Sequence, residues 1–110
     1  MITAIIRPYA LEIVRSALQE GGITGLTVSE VRGYGRQKGH YALYRSVEYQ
    51  VSFQPKIQLD FAVDDSQLEQ ITEIIVAQAR TGRVGDGKIF VSSPESATRI
   101  RTGETGVEAI

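Results

Sequence analysis

The sequence predicts an α+β fold, with one four-stranded antiparallel sheet and two helices on a single face. Three observations carry that prediction. Segments of alternating apolar and polar residues are interleaved with two segments of helical period, in the order strand, helix, strand, strand, helix, strand. Glycines, prolines and polar clusters punctuate the boundaries between them. With 110 residues and no internal repeat or low-complexity tract, the chain suits a single domain over residues 1–110 with one modest core.

Ile2 to Arg7 reads as the first strand, rich in β-branched residues and ended by Pro8. From Ala10 to Glu20, Leu11, Val14, Ala17 and Leu18 share one helical face, and Gly21 and Gly22 stop the helix. Leu26 to Tyr34 reads as the second strand, with Leu26, Val28 and Glu30 alternating with Thr27, Ser29 and Val31. Gly33 to Gln54 is polar, rich in Gly, Arg and Tyr, and has no clean period. A connection of about 20 residues without structure is usually functional or disordered. Lys56 to Val63 alternates again as a half-buried strand. Ser66 and Glu69 have the spacing of a capping box ahead of a second amphipathic helix that carries Leu68, Ile71, Ile74 and Ile75 and ends near Arg80. Thr81 to Lys88 is a Gly-rich loop, and Ile89 to Val91 is a short buried strand. The tail after Pro94 is polar, with Thr98 to Arg101 extended. This order is the split βαβ, or ferredoxin-like, βαββαβ plan. It leaves one face of the sheet uncovered, and apolar residues there predict burial by oligomerisation.

Composition narrows the function. A formal net charge of −1 and a pI of about 5.8 give no bulk attraction to nucleic acid or to an anionic membrane. The absence of cysteine excludes disulfides and thiolate metal sites. No signal peptide or membrane span is visible, so a cytoplasmic location without membrane insertion is the expectation. Nine of the 12 basic residues are arginine, several of them beside glycines. A guanidinium offers a bidentate fork for phosphate or carboxylate, although such residues also suit a solvated surface.

Four constellations could carry chemistry. Gly82 to Lys88 fits the G-x-x-x-x-G-K part of a P-loop, but Ile89 stands where Ser or Thr would hold Mg2+, and a strand follows instead of a helix. The glycines still permit close backbone approach and N–H groups aimed at an anion. Asp86-Gly87 could equally be a plain turn into the last strand. The stretch from Arg32 to His40 begins like an RNA-recognition motif and lacks its aromatic continuation. Arg36 and Lys38 there suit a small anion or a solvated turn. In an extended segment Arg99 and Arg101 point to the same side, as a phosphate clamp or as a charged edge that blocks strand pairing. Tyr41 to Tyr49 places aromatics on a loop, to be read by a partner or folded back on the body. His40 is the only histidine, and no His/Asp/Glu cluster resembles a protein-only metal site. No serine has a His and Asp partner by motif, and Glu48 is a general base by residue type alone. The chain carries no enzyme signature.

Taken together, these residues resemble the PII nitrogen-regulatory signal protein family. The likeness runs through Ala4 to Pro8, Thr27 to His40, Tyr44 to Tyr49, Thr81 to Val91 and Arg99 to Glu104, and so spans essentially the whole chain. The family implies a homotrimer with ATP or ADP in three clefts between subunits, and with the uncovered sheet faces meeting at the centre. By matching positions, Gly35, Arg36, Gly85, Gly87 and Lys88 hold nucleotide, Arg99 and Arg101 reach the phosphates from the neighbouring subunit, and Thr27 lies near the adenine. The resemblance also implies 2-oxoglutarate bound through Mg2+ at Gln37, Lys38 and Gly39, with Lys56 on the distal carboxylate and the metal shared between Gln37, ATP and the keto acid. It implies a flexible T-loop over about 35–54, a phosphate loop over 81–88 and a C-terminal segment over 94–110. Its targets are an ammonium channel at the inner membrane and nitrogen-assimilation regulators or enzymes. Arg45 matches the arginine inserted into the channel, and Tyr49 matches the tyrosine uridylylated by a modifying nucleotidyltransferase. Tyr41, Ser46, Val47 and Gln54 depart from the usual residues, and Ser46-Val47 stiffens the loop. The alternatives are a small ferredoxin-like enzyme for phosphate esters or acyl phosphates, which lacks a positioned nucleophile, and an RNA-binding module, which the acidic pI opposes.

Overall fold

The computed structural model describes residues 1–35 and 52–110. Strand β1, Ile2–Ile6, buries Ile2, Ala4 and Ile6 on one side, while Thr3 and Ile5 face the other. A 3-10 turn over Pro8–Ala10 leads into helix α1, Leu11–Glu20. Pro8 takes the first position of that turn, where a missing N–H costs nothing. Val14 and Leu18, four residues apart, bury one stripe of α1. Strand β2, Thr27–Gly33, is followed in the described chain by strand β3, Gln54–Phe61. Helix α2, Leu68–Ala79, buries Ile71, Ile75 and Ala79, and strand β4, Gly87–Val91, closes the sheet.

The strand order is β2-β3-β1-β4, with every neighbouring pair antiparallel. The register sets Ile2 opposite Phe61 and Val91, and Ile6 opposite Ile57 and Gly87. Both helices pack on the side of the sheet that carries Ile2, Ile6, Leu59 and Phe61, and the core lies between these layers. This is the α+β, four-stranded antiparallel architecture that the order of periods predicts. The opposite face is chemically mixed. Ile5 and Val31 are half-buried there and Phe90 is 52% exposed. Beside them Asp60 accepts hydrogen bonds from Thr3 Oγ1 at 2.6 Å and Gln58 Nε2 at 2.9 Å.

Three local expectations are corrected. Strand β3 begins at Gln54, two residues before Lys56, because β2 continues to pair with it as far as Gly33↔Gln54. Pro55 is accommodated because the β1 pairing has already stopped at Ile57, so no ladder bond to β1 is lost. The capping box does not form. Ser66 lies inside a 3-10 turn, Asp65–Gln67, and its hydroxyl donates to Asp64 Oδ2 at 3.1 Å. The N-cap of α2 is Gln67, whose side chain makes no capping hydrogen bond. The Thr98 to Arg101 segment is not a strand. Thr98 makes one bridge, to Thr105, and the chain between them turns, with Arg99 N donating to Glu104 O at 2.8 Å and Gly103 N to Arg99 O at 2.7 Å. Alternation therefore does not align Arg99 with Arg101.

Leu59 is fully buried at the centre of the sheet. Leu59→Ala should cost about 2–5 kcal/mol, as truncations that leave a core cavity do. Urea denaturation followed by circular dichroism would measure it.

Candidate ligand-binding site

The register brings a terminus of each of the four strands to one end of the sheet. Gly87 opens β4 opposite Ile6, so the loop before it lies beside Arg7, which directly follows β1. Ile57 also faces Ile6, so Lys56 of β3 emerges at the same place. The β2 terminus at Gly33 and the start of β3 at Gln54 share this end, where the rings of Tyr34 and Phe53 meet edge to face at 5.1 Å.

Asp86 organises the loop. Its carboxylate accepts from the Thr81 hydroxyl, from Thr81 N at 2.7 Å, from Gly82 N at 2.8 Å and from Arg7 Nε at 3.2 Å. The Thr81 hydroxyl and N–H lead the effects that hold Asp86 well below the usual carboxylate range, with Gly82 N–H and Arg7 adding to them. Arg7 also donates from Nη2 to Val84 O at 2.8 Å, and Lys56 Nζ donates to Gly85 O at 2.6 Å. Burial, followed by the neighbouring Arg7 charge, pushes the Lys56 ammonium below its ordinary value, while Asp86 pulls the other way.

Two glycines make this conformation possible. Gly85 has φ +103°, and a Cβ there would stand 3.1 Å from Arg7 Nη2. Gly87 has φ +116°, and its Cβ would stand 1.8 Å from Ile5 O. An apolar groove of about 320 Å³ runs alongside between α2 and β4, lined by Ile75, Val76 and Ala79 together with Arg80, Asp86 and Lys88. A glycine-relieved backbone with Arg7, Lys56 and Lys88 around it can bind an anion, with an apolar surface at hand for the rest of a ligand. Among the described residues no group of three or more His, Asp or Glu could hold a metal by itself.

Of the residues singled out in the sequence, Gly85, Gly87, Lys88 and Lys56 are brought together, and Gly35 lies just past β2 at the same end of the sheet. Thr27 opens β2 opposite Asp60, at the far end. Arg99 and Arg101 stand in the C-terminal turn, where Arg99 Nη1 lies 3.6 Å from Glu104 Oε1 and Nη2 donates to Ile110 O at 3.2 Å. Arg36, Gln37, Lys38, Gly39, Arg45 and Tyr49 lie outside the described residues, as do Tyr41, Ser46 and Val47. The sequence reading gave Arg7, Thr81 and Asp86 no site role. The only local signal was an Asp between two glycines, with a Thr five residues before it.

Residues 1–104 match the family model for nitrogen regulatory protein P-II. The chain is 55% identical over 109 residues to a nitrogen regulatory protein P-II of Rhodobacter capsulatus, covering 99% of this chain and 97% of that protein. It is 52% identical over 110 residues to the nitrogen regulatory protein GlnK of Escherichia coli K12, covering 100% of this chain and 98% of that one. Among solved structures it is similar to Arabidopsis thaliana PII bound to citrate, with a TM-score of 0.81 and 39% identity, over 99% of this chain and 89% of that chain.

Gly87→Ala should cost about 2–3 kcal/mol, since a side chain there forces the β1 and β4 backbones apart; thermal unfolding would read it. Asp86 has a lowered pKa in the folded state, so its stabilisation is present above the unfolded carboxylate value of about 3.9 and is lost as pH falls from there through the folded value. Asp86→Asn should flatten that part of the acid-side stability curve. An unchanged slope below about pH 4 would contradict the assignment.

Proposed function

Because the chain belongs to the nitrogen regulatory protein P-II family, we propose that it is a trimeric ligand sensor without catalytic turnover. It binds ATP or ADP and, together with Mg-ATP, 2-oxoglutarate. It reports the ligand state to nitrogen-assimilation targets through the T-loop between β2 and β3. The observation that carries this reading is the 81–87 loop, ordered by Asp86 against Arg7 and Lys56 at the end of the sheet where β2 ends and β3 begins.

The residues fit the groups that the reading requires. Gly85 and Gly87 let a phosphate approach the backbone, and the exposed Lys88 supplies a cation beside them. Lys56 is partly desolvated and sits next to another cation, so a carboxylate brought to it would be stabilised. The Arabidopsis relative solved with citrate supports a capacity for small polycarboxylates. With no described protein-only metal cluster, Gln37 would share Mg2+ with phosphate and keto-acid oxygens, an ordinary arrangement for this ion. A trimer accounts for the residues that one chain keeps apart. Thr27 would lie near the adenine, and Arg99 and Arg101 would reach the phosphates from a neighbouring subunit. Gly35 and Arg36 would complete the nucleotide site, and Lys38, Gly39 and Lys56 the keto-acid site.

A ligand that contacts the base of the T-loop favours the loop conformations in which those contacts exist, which is the thermodynamic requirement for a switch. The targets would be an ammonium channel, which recruits the cytoplasmic protein to the inner membrane through Arg45, and nitrogen-regulatory proteins or enzymes. Tyr49 would be the site of uridylylation by a nucleotidyltransferase.

Calorimetric titration of 2-oxoglutarate into the protein, with and without Mg-ATP, tests the reading. Binding is expected only with Mg-ATP, and Lys56→Ala should weaken it about 10- to 100-fold, as loss of one charge-assisted contact does. ATP binding without any response to 2-oxoglutarate would leave an adenylate sensor and overturn the role of Lys56.

A further inference from the structure

We infer that Arg7 is a positioning residue of the anion site: it sets the 81–87 loop through two of its groups and does not contact the ligand. The inference rests on the nucleotide-binding role proposed above and adds a residue to which nothing so far assigns a part in it.

The argument starts from the peptide plane. A trans peptide holds its N–H opposite its C=O, and the described chain has no cis peptide bond. Arg7 Nη2 binds Val84 O at 2.8 Å, so the Gly85 N–H in the same peptide unit points away from Arg7. Lys56 Nζ binds Gly85 O at 2.6 Å, which orients the next peptide likewise, and Asp86 N closes the turn on Arg83 O at 3.3 Å. The two cations thus draw consecutive carbonyls to the β1 and β3 side and turn the Gly85 N–H to the other side of the loop. That is the orientation an anion needs from a glycine-rich backbone.

Arg7 is engaged at two of its three guanidinium nitrogens. Nε holds Asp86 at 3.2 Å, Nη2 holds Val84 O, and Gly85 lies against the Nη2 edge so closely that a Cβ would stand 3.1 Å away. Asp86 in turn fixes the N–H groups of Thr81 and Gly82. Arg7 therefore acts on the middle of the loop through the Val84 peptide and, through the Asp86 carboxylate, on its start at Thr81 and Gly82. A lysine could reach one of these acceptors but cannot match the fork of both.

The test combines ATP calorimetry, amide hydrogen exchange on the ligand-free protein and thermal unfolding, for wild type, Arg7→Ala, Arg7→Lys, Asp86→Asn and the Arg7→Ala/Asp86→Asn double variant. A positioning role predicts that Arg7→Ala weakens ATP about tenfold, that Arg7→Lys recovers part of the loss, and that the double variant loses less than the product of the two single losses. The Thr81 and Gly82 amides should exchange faster in Arg7→Ala while those of β1 and β3 do not, which separates loop release from general destabilisation. Weakened ATP with unchanged exchange and multiplicative losses would make Arg7 a direct ligand contact and overturn the inference, as would unchanged ATP affinity. If wild type binds no ATP, the proposed function fails. The exchange data then decide alone: faster Thr81 and Gly82 exchange in Arg7→Ala keeps Arg7 as the residue that orders the loop, and unchanged exchange removes it.

Discussion

The close approach of two backbones at Gly87 governs this end of the molecule. A Cβ at that position would stand 1.8 Å from the Ile5 carbonyl oxygen, far inside any allowed contact, and its φ of +116° excludes most side chains independently. Glycine lets β4 begin at this point, opposite Ile6. The residue before it, Asp86, then falls beside Arg7, and the loop from Thr81 is short enough that its own N–H groups reach the same carboxylate. A packing constraint in the sheet thereby sets the geometry of the candidate anion site.

The charges at the site work at different ranges. An ion pair whose side chains retain 23% and 22% exposure, as Arg7 and Asp86 do, contributes modestly through Coulomb attraction alone. Direction matters more here. Asp86 gathers donors from Thr81, Gly82 and Arg7, while Arg7 and Lys56 gather the carbonyls of Val84 and Gly85. The Val84 and Gly85 carbonyls are held toward Arg7 and Lys56 before any ligand arrives, so part of the ordering cost of binding at this loop would already be met in folding. Lys56 is the strained member, since desolvation and Arg7 both disfavour its charge. A bound carboxylate would relieve that penalty, which gives an acidic ligand a physical reason to prefer this place.

The sheet also explains why one chain holds an incomplete set of the residues that the family resemblance points to. Thr27 sits opposite Asp60, at the far end of the sheet from Gly87, and Arg99 is turned toward Glu104 and the C-terminal carbonyl. Several short elements pack into one small core, and among the described residues no helix covers the face that carries Thr3, Gln58 and Asp60.

Periodicity is a local property, and what depended on it was legible in the sequence. Alternation in Lys56 to Val63 and the helical spacing of Ile71 and Ile75 were enough to order the six elements and to choose the ferredoxin-like plan. The glycines of the 81–88 loop offered either an anion site or a plain turn, and local chemistry leaves both open. The failures were of another kind. Ser66 had the spacing of a cap, but a 3-10 turn placed it one step inside the structure. Arg99 and Arg101 had the spacing of a strand, but no partner strand extended beyond the Thr98↔Thr105 bridge. Arg7 and Asp86 are separated by 79 positions along the chain, so no local pattern joins them. Only the register of β1 against β3 and β4 does so, because hydrogen-bond pairing between distant strands decides which side chains share one end of a sheet.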